Sequence, residues 1–93
     1  MKKIRWHVYL LTCADGTLYA GVTNDLARRL AAHNAGKGAK YTKPRRPVVL
    51  AWSVSTKDRS SAQKREHAVK ALTRPEKLQL IAKQKTRAKK ARA

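Results

Sequence analysis

An α+β fold with a small antiparallel sheet flanked by helices is predicted by three features of this 93-residue sequence. Two short runs rich in aromatic and aliphatic residues, Trp6 to Thr12 and Thr17 to Val22, are separated by Asp15-Gly16, a strong hairpin signal. A third apolar run, Pro47 to Val54, reads as another strand. Polar caps followed by apolar residues at helical spacing mark three helices. In chain order the elements read ββαβαα, a three-stranded sheet and its helices within one domain.

Each element follows from its residues. Thr23, Asn24 and Asp25 offer side-chain caps before Leu26, Ala27, Leu30 and Ala31, and Gly36 supplies a stop, so the first helix is expected from about Asn24 to Ala35. Pro47 to Val54 is β-branched and apolar on both faces, which predicts the best-buried strand. Ser60 or Ser61 is expected to open the second helix, with Gln63 completing a capping box and Ala62, Val69 and Leu72 on its inner face. Thr73-Arg74-Pro75-Glu76 repeats that grammar: a Thr cap, Pro in the first turn and Glu at the third position, then Leu78, Leu80 and Ile81.

Charge narrows the function. Lys and Arg number 23 against 5 Asp and Glu, a net charge of +18 with a pI near 11.1, so the expected partner is a polyanion, with nucleic acid the default. A hydrophobic content of 42% argues for a folded domain over a basic disordered peptide. So short a chain has no room for a large substrate cavity. No apolar run approaches the ~18 residues of a membrane span, so no membrane association is expected and the protein is read as cytoplasmic. Cys13 stands alone, which excludes a disulfide framework, and His7, His33 and His67 lack zinc-ligand spacing with it. The cations gather in two blocks. Lys37, Lys40, Lys43, Arg45 and Arg46 fall in a loop before the third strand, and Lys83, Lys85, Arg87, Lys89 and Lys90 fall in a C-terminal segment without an apolar stripe. The folded domain is therefore expected over residues 1–82, with 83–93 a basic tail that is disordered when free. Both blocks are candidate phosphate grips.

Five residues could carry chemistry. Asp25, Arg29 and His33 fall at i, i+4 and i+8 on one face of the first helix, and Tyr9 and Tyr19 sit within the hairpin strands. Glu66 is one of two glutamates in this cationic chain and lies toward the buried side of its helix, so it needs a salt bridge or a metal ion. Mg²⁺ is often held by one or two carboxylates together with waters and substrate phosphates, so one Glu is enough. Structural readings also exist: Arg29 paired with Asp25, Glu66 with Lys70, and Trp6 and Trp52 as core.

His7-Val8-Tyr9, followed after nine residues by Tyr19-Ala20-Gly21, resembles the paired tripeptides of the GIY-YIG nuclease superfamily. Arg29, His33 and Glu66 follow in the family's order, and the segment HNAGKGAKYTKPRRPVVL is similar to its small stand-alone bacterial members. The resemblance covers about residues 4 to 82. It departs from the pattern at His7 and Ala20, which replace Gly and Ile, and near Leu78 to Leu80, where many members have Asn and this chain offers only Gln79. The resemblance implies an endonuclease using Mg²⁺ or Mn²⁺ on Glu66, Tyr9 as general base, Tyr19 orienting water or phosphate, Arg29 on a non-bridging oxygen, and His33 accepting the proton. A phenol with an ordinary pKa near 10 needs acidifying for that task, and the cationic surroundings are expected to do it.

Both tyrosines can share one site only if the turn holds an odd number of residues or a strand carries a bulge, so a three- or five-residue loop or a bulge is expected near Ala14 to Thr17. Gly21 is expected to let the strand lie close to a phosphate or to the first helix. Nothing in the chain resembles a base-reading element, so a structure-directed DNA endonuclease of repair or recombination is expected, DNA favoured over RNA, with targeting left to DNA shape or a partner protein. The other reading is a DNA- or RNA-binding module of the same fold that cleaves poorly or not at all.

Overall fold

The computed structural model describes the backbone of residues 5–92 and the side chains of residues 5–85. Its elements are β1 (Trp6–Thr12), β2 (Leu18–Thr23), α1 (Leu26–Asn34), a short 3-10 turn at Lys43–Arg45, β3 (Val49–Thr56), α2 (Arg59–Ala71) and α3 (Arg74–Arg92). The three strands form one antiparallel sheet in the order β2-β1-β3.

A central strand covered on both faces must be apolar where it is covered, and Val8 to Leu11 of β1 are all buried. Val8 and Leu10 join Ala20 and Trp52 on one face, where Ala62 and Val69 of α2 and Ile81 of α3 close over them. Tyr9, Leu11 and Cys13 point to the other face, with Val48 and with Leu26 and Leu30 of α1. Burying each such large side chain contributes about 1.5–3 kcal/mol.

The paired residues Thr12 and Leu18 enclose a five-residue loop, Cys13 to Thr17, so the connection is odd, as parity requires. Within it, Cys13 N–H donates to Thr17 O and Gly16 N–H to Cys13 O. Gly16 adopts φ +85°, the left-handed conformation that glycine tolerates. Consequently Tyr9 faces Gly21, Leu11 faces Tyr19, and the two tyrosines lie on one face of the sheet.

Strand β3 is not the best-buried strand. It lies at the sheet edge, with Val49 and Leu50 exposed, while β1 takes the centre. A bulge at Ala51 shifts the register, so that Leu10 opposes Trp52 and Leu11 opposes Leu50. Two side-chain amides tie down this strand and its approach. Asn34 of α1 accepts from Val48 N–H at 2.7 Å and donates to Val48 O at 3.0 Å. Gln84 of α3 accepts from Ser53 N–H at 3.2 Å and donates to Ser53 O at 2.7 Å, occupying backbone groups the open edge would leave to solvent.

The caps match expectation at two helices and differ at one. Asp25 caps α1 by accepting from Arg28 N–H, and α1 closes on Gly36 at φ +80°, with Gly36 N–H to His33 O and Lys37 N–H to Ala32 O. Thr73 and Glu76 form the reciprocal capping box of α3. At α2 the cap is Asp58, not Ser60 or Ser61: its carboxylate accepts from Ser61 N–H at 2.7 Å, a stronger acceptor than a hydroxyl. Beyond residue 82, Gln84 is bound to β3 and α3 continues to Arg92 through residues of high helix propensity.

Candidate active site

Four of the five candidate residues line one cleft of about 240 Å³: Tyr9, Tyr19, Arg29 and Glu66. Tyr9, Tyr19 and Arg29 reach it from the α1 face of the sheet, and Glu66 from α2 on the opposite face. Gly21, on the edge strand, lies where the two sides meet. A Cβ at Gly21 would collide with the Tyr9 hydroxyl, so the missing side chain is the space the phenol fills.

His33 lies behind the cleft wall and is fully buried. The Tyr9 hydroxyl is 3.0 Å from His33 Nε2, and His33 Nδ1 is 2.8 Å from Thr42 Oγ1, itself completely buried. Tyr19 packs edge-on against the imidazole at 5.4 Å between centroids and stacks on Tyr41 at 5.9 Å. Arg45 lies over Tyr41 at 4.1 Å and pairs with Asp15 at 3.0 Å, so the basic loop is fastened to the hairpin turn beside the site.

Burial pushes the Tyr9 phenol above its ordinary range, and the nearby Arg29 guanidinium only partly opposes this. The expected acidification by cationic surroundings therefore does not occur, because losing water around a phenolate outweighs the charge of one neighbour. His33 is lowered, first by burial and then by Arg29, which keeps it neutral near pH 7. A protonated phenol thus faces a neutral imidazole.

Asp25 is committed to capping α1, and Arg29 makes no ion pair among the described residues. Glu66 is 3.8 Å from Lys70 Nζ, with 24% of its side chain exposed on the cleft wall. Among the described residues no group of three or more His, Cys, Asp or Glu side chains is arranged to hold a metal. Gln79 does not line the cleft.

Of the basic loop, Lys37, Lys40 and Lys43 are exposed, whereas Arg45 and Arg46 are engaged within the chain: Arg45 donates to Tyr41 O and Arg46 to Lys43 O, each at 2.8 Å. Lys83 and Lys85 lie exposed on α3; the side chains of Arg87, Lys89 and Lys90 lie outside the described residues. Sequence reasoning missed Arg59 and Gln63, which line the cleft beside Glu66, and placed Trp6 only in the core, although it also reaches the cleft with Arg59 5.5 Å above its ring. Their signal was present: positions 59, 63 and 66 share one helical face. It also missed Thr42 and Gly38, where a Cβ would collide with His33 Nδ1.

Similarity to known proteins agrees with this geometry. The chain matches the GIY-YIG catalytic domain over residues 5–79 and belongs to the GIY-YIG nuclease family. More narrowly, it is similar to UPF0213 proteins of bacteria and archaea. That of Desulfotalea psychrophila is 51% identical over 77 residues, covering 82% of this chain and 70% of the relative. That of Halobacterium salinarum is 51% identical over 71 residues, covering 76% and 92%. The solution NMR structure of a UPF0213 protein from Bacillus halodurans has TM-score 0.55 at 41% identity, covering 84% of this chain and 83% of that one. The solution NMR structure of the protein EF2693 from E. faecalis has TM-score 0.59 at 43% identity, covering 85% of this chain and 84% of that one. Among the described residues no helix is long and apolar enough to cross a membrane.

Proposed function

We propose that this protein is a metal-dependent endonuclease that hydrolyses phosphodiester bonds in DNA, directed by strand structure rather than base sequence, and serving DNA repair or recombination in the cytosol. The observation that carries the reading is the Tyr9–His33 hydrogen bond of 3.0 Å, opening onto a cleft that also holds Arg29 and Glu66.

Hydrolysis needs a deprotonated water in line with the leaving oxygen and neutralisation of charge on the phosphate. Tyr9 takes the water proton on its oxygen as its own proton passes to His33 Nε2; no free phenolate forms, in keeping with its raised pKa. The water oxygen bonds to phosphorus, the bond to the 3′ oxygen breaks, and that oxygen takes a proton from solvent. Arg29 binds a non-bridging oxygen, and Tyr19 orients the water or the phosphate. Glu66 suits Mg²⁺ or Mn²⁺, since among the described residues its carboxylate is engaged only by a long contact to Lys70 at the cleft wall. A divalent ion bound there supplies charge neutralisation to the phosphate and the departing oxygen. Lys37, Lys40 and Lys43, with the cations after residue 82, hold flanking phosphates, and a partner protein supplies any further targeting.

The test is to incubate purified protein with flap, fork, single-stranded and RNA substrates in Mg²⁺ or Mn²⁺, beside Glu66→Ala and Arg29→Ala. Cleavage of branched DNA that both substitutions abolish supports the proposal. Tight binding without cleavage would point instead to a binding module, and cleavage that both variants retain to a contaminant.

A further inference from the structure

Resting on the proposed hydrolysis for its catalytic consequence, we infer that Thr42 is a positioning residue that fixes His33 in the tautomer protonated on Nδ1, so that the Nε2 lone pair receives the Tyr9 proton. The direction follows from the two ends of one hydrogen-bond chain. At one end the Tyr9 hydroxyl stands at a cleft it shares with the Arg29 guanidinium, which can only donate. At the other, the Ala39 carbonyl, which can only accept, lies 3.0 Å from Thr42 Oγ1.

Between these ends every proton has one place to go. Thr42 donates to Ala39 O and therefore accepts from His33 Nδ1 at 2.8 Å. His33 Nε2 is then bare and accepts from the Tyr9 hydroxyl at 3.0 Å. The opposite assignment turns Nε2–H toward the phenol oxygen and leaves the Tyr9 proton without an acceptor among the described residues. It also makes the imidazole a donor toward Tyr9, unable to take a proton from it.

The loop is built to hold this arrangement. Thr42 N–H and Lys43 N–H both donate to Ala39 O at 3.2 Å, closing a turn that fixes the threonine. Gly38 lies against the imidazole where no Cβ would fit. The basic loop therefore has a second task besides attracting phosphates, which is to back the histidine.

Long-range proton–nitrogen NMR of histidine-labelled protein at neutral pH reads the tautomer directly. The wild type is expected to carry the His33 proton on Nδ1. In Thr42→Val, which keeps the shape and loses the acceptor, the proton is expected to move to Nε2, with the single-turnover cleavage rate down roughly 10²-fold at unchanged DNA affinity. Thr42→Ser is expected to restore both. A wild-type proton on Nε2 would overturn the inference, as would Thr42→Val with tautomer and rate unchanged. If Thr42→Val does not fold, the wild-type spectrum decides alone. If the wild type cleaves nothing, the spectra still decide the tautomer, and the nuclease reading alone falls.

Discussion

At the scale of single residues, the relation between Tyr9 and His33 sets how the proposed cleavage should respond to pH. His33 is depressed below its ordinary value of about 6.5, so it is neutral above that pH and loses its acceptor lone pair only on stronger acidification. Tyr9 is raised, so no phenolate accumulates near neutrality. The single-turnover cleavage rate is therefore expected to fall with acid below about pH 6.5 and to stay level from about pH 7 to 9; a tenfold rise per pH unit over that range would signal a phenolate base instead. Folding stability carries the same sign, because the unfolded chain binds a proton on His33 first, so the contribution is full above about pH 6.5 and is lost as pH falls through the folded value. Gly21→Ala is expected to displace Tyr9 and cut the cleavage rate with binding retained, checked by filter binding beside a cleavage assay. That Tyr9, Tyr19, Arg29, His33 and Glu66 come together was legible in the sequence because their order and residue types resemble a family pattern and hairpin parity required both tyrosines on one face. The tyrosine pKa was not legible, since its sign depends on burial against one guanidinium, and Thr42 was not, since it reaches His33 only once the loop has folded back.

Between strands and helices, the sheet edge shows where a local pattern misleads. Val48, Val49 and Leu50 read as a strand buried on both faces, yet only β1 is, because the hairpin keeps β2 beside β1 and β3 takes the remaining side. Apolar content cannot distinguish a central strand from an edge strand whose free end carries an apolar patch. Capping grammar was more legible: the α3 box formed as its spacing required, while at α2 a carboxylate one residue before the helix took the place assigned to a serine. Hydrogen bonds from Ser61 and Thr73 hold the Asp58 and Glu76 carboxyls below their ordinary values. Their contribution is present above the unfolded pKa and is lost as pH falls through the folded one, so a further decline in thermal stability is expected below about pH 4. Gln84→Ala leaves Ser53 N–H and C=O without their partner and is expected to cost about 1–3 kcal/mol in urea denaturation, whereas Gln79→Ala on the same helix is expected to cost little.

For the whole molecule, a charge of +18 implied a polyanion partner and could not choose among packing, binding and cutting it. The cleft narrows that choice, since two tyrosines, two arginines and a glutamate converge there while the exposed lysines stand outside it. Deleting residues 86–93 removes four cations and leaves Gln84 in place. It is expected to reduce the slope of log affinity against log salt by about 0.9 for each phosphate that the shortened chain no longer neutralises, on all DNA sequences alike, with stability unchanged. The most direct measurement of the central claim is cleavage of a branched DNA in ¹⁸O-labelled water with Mg²⁺, followed by mass analysis of the new ends. Water attack with departure of the 3′ oxygen gives a 5′-phosphate carrying one ¹⁸O and a plain 3′-hydroxyl, and Glu66→Ala gives no product. Label on a 3′-phosphate, or no cleavage of any branched DNA under these conditions, would contradict the claim.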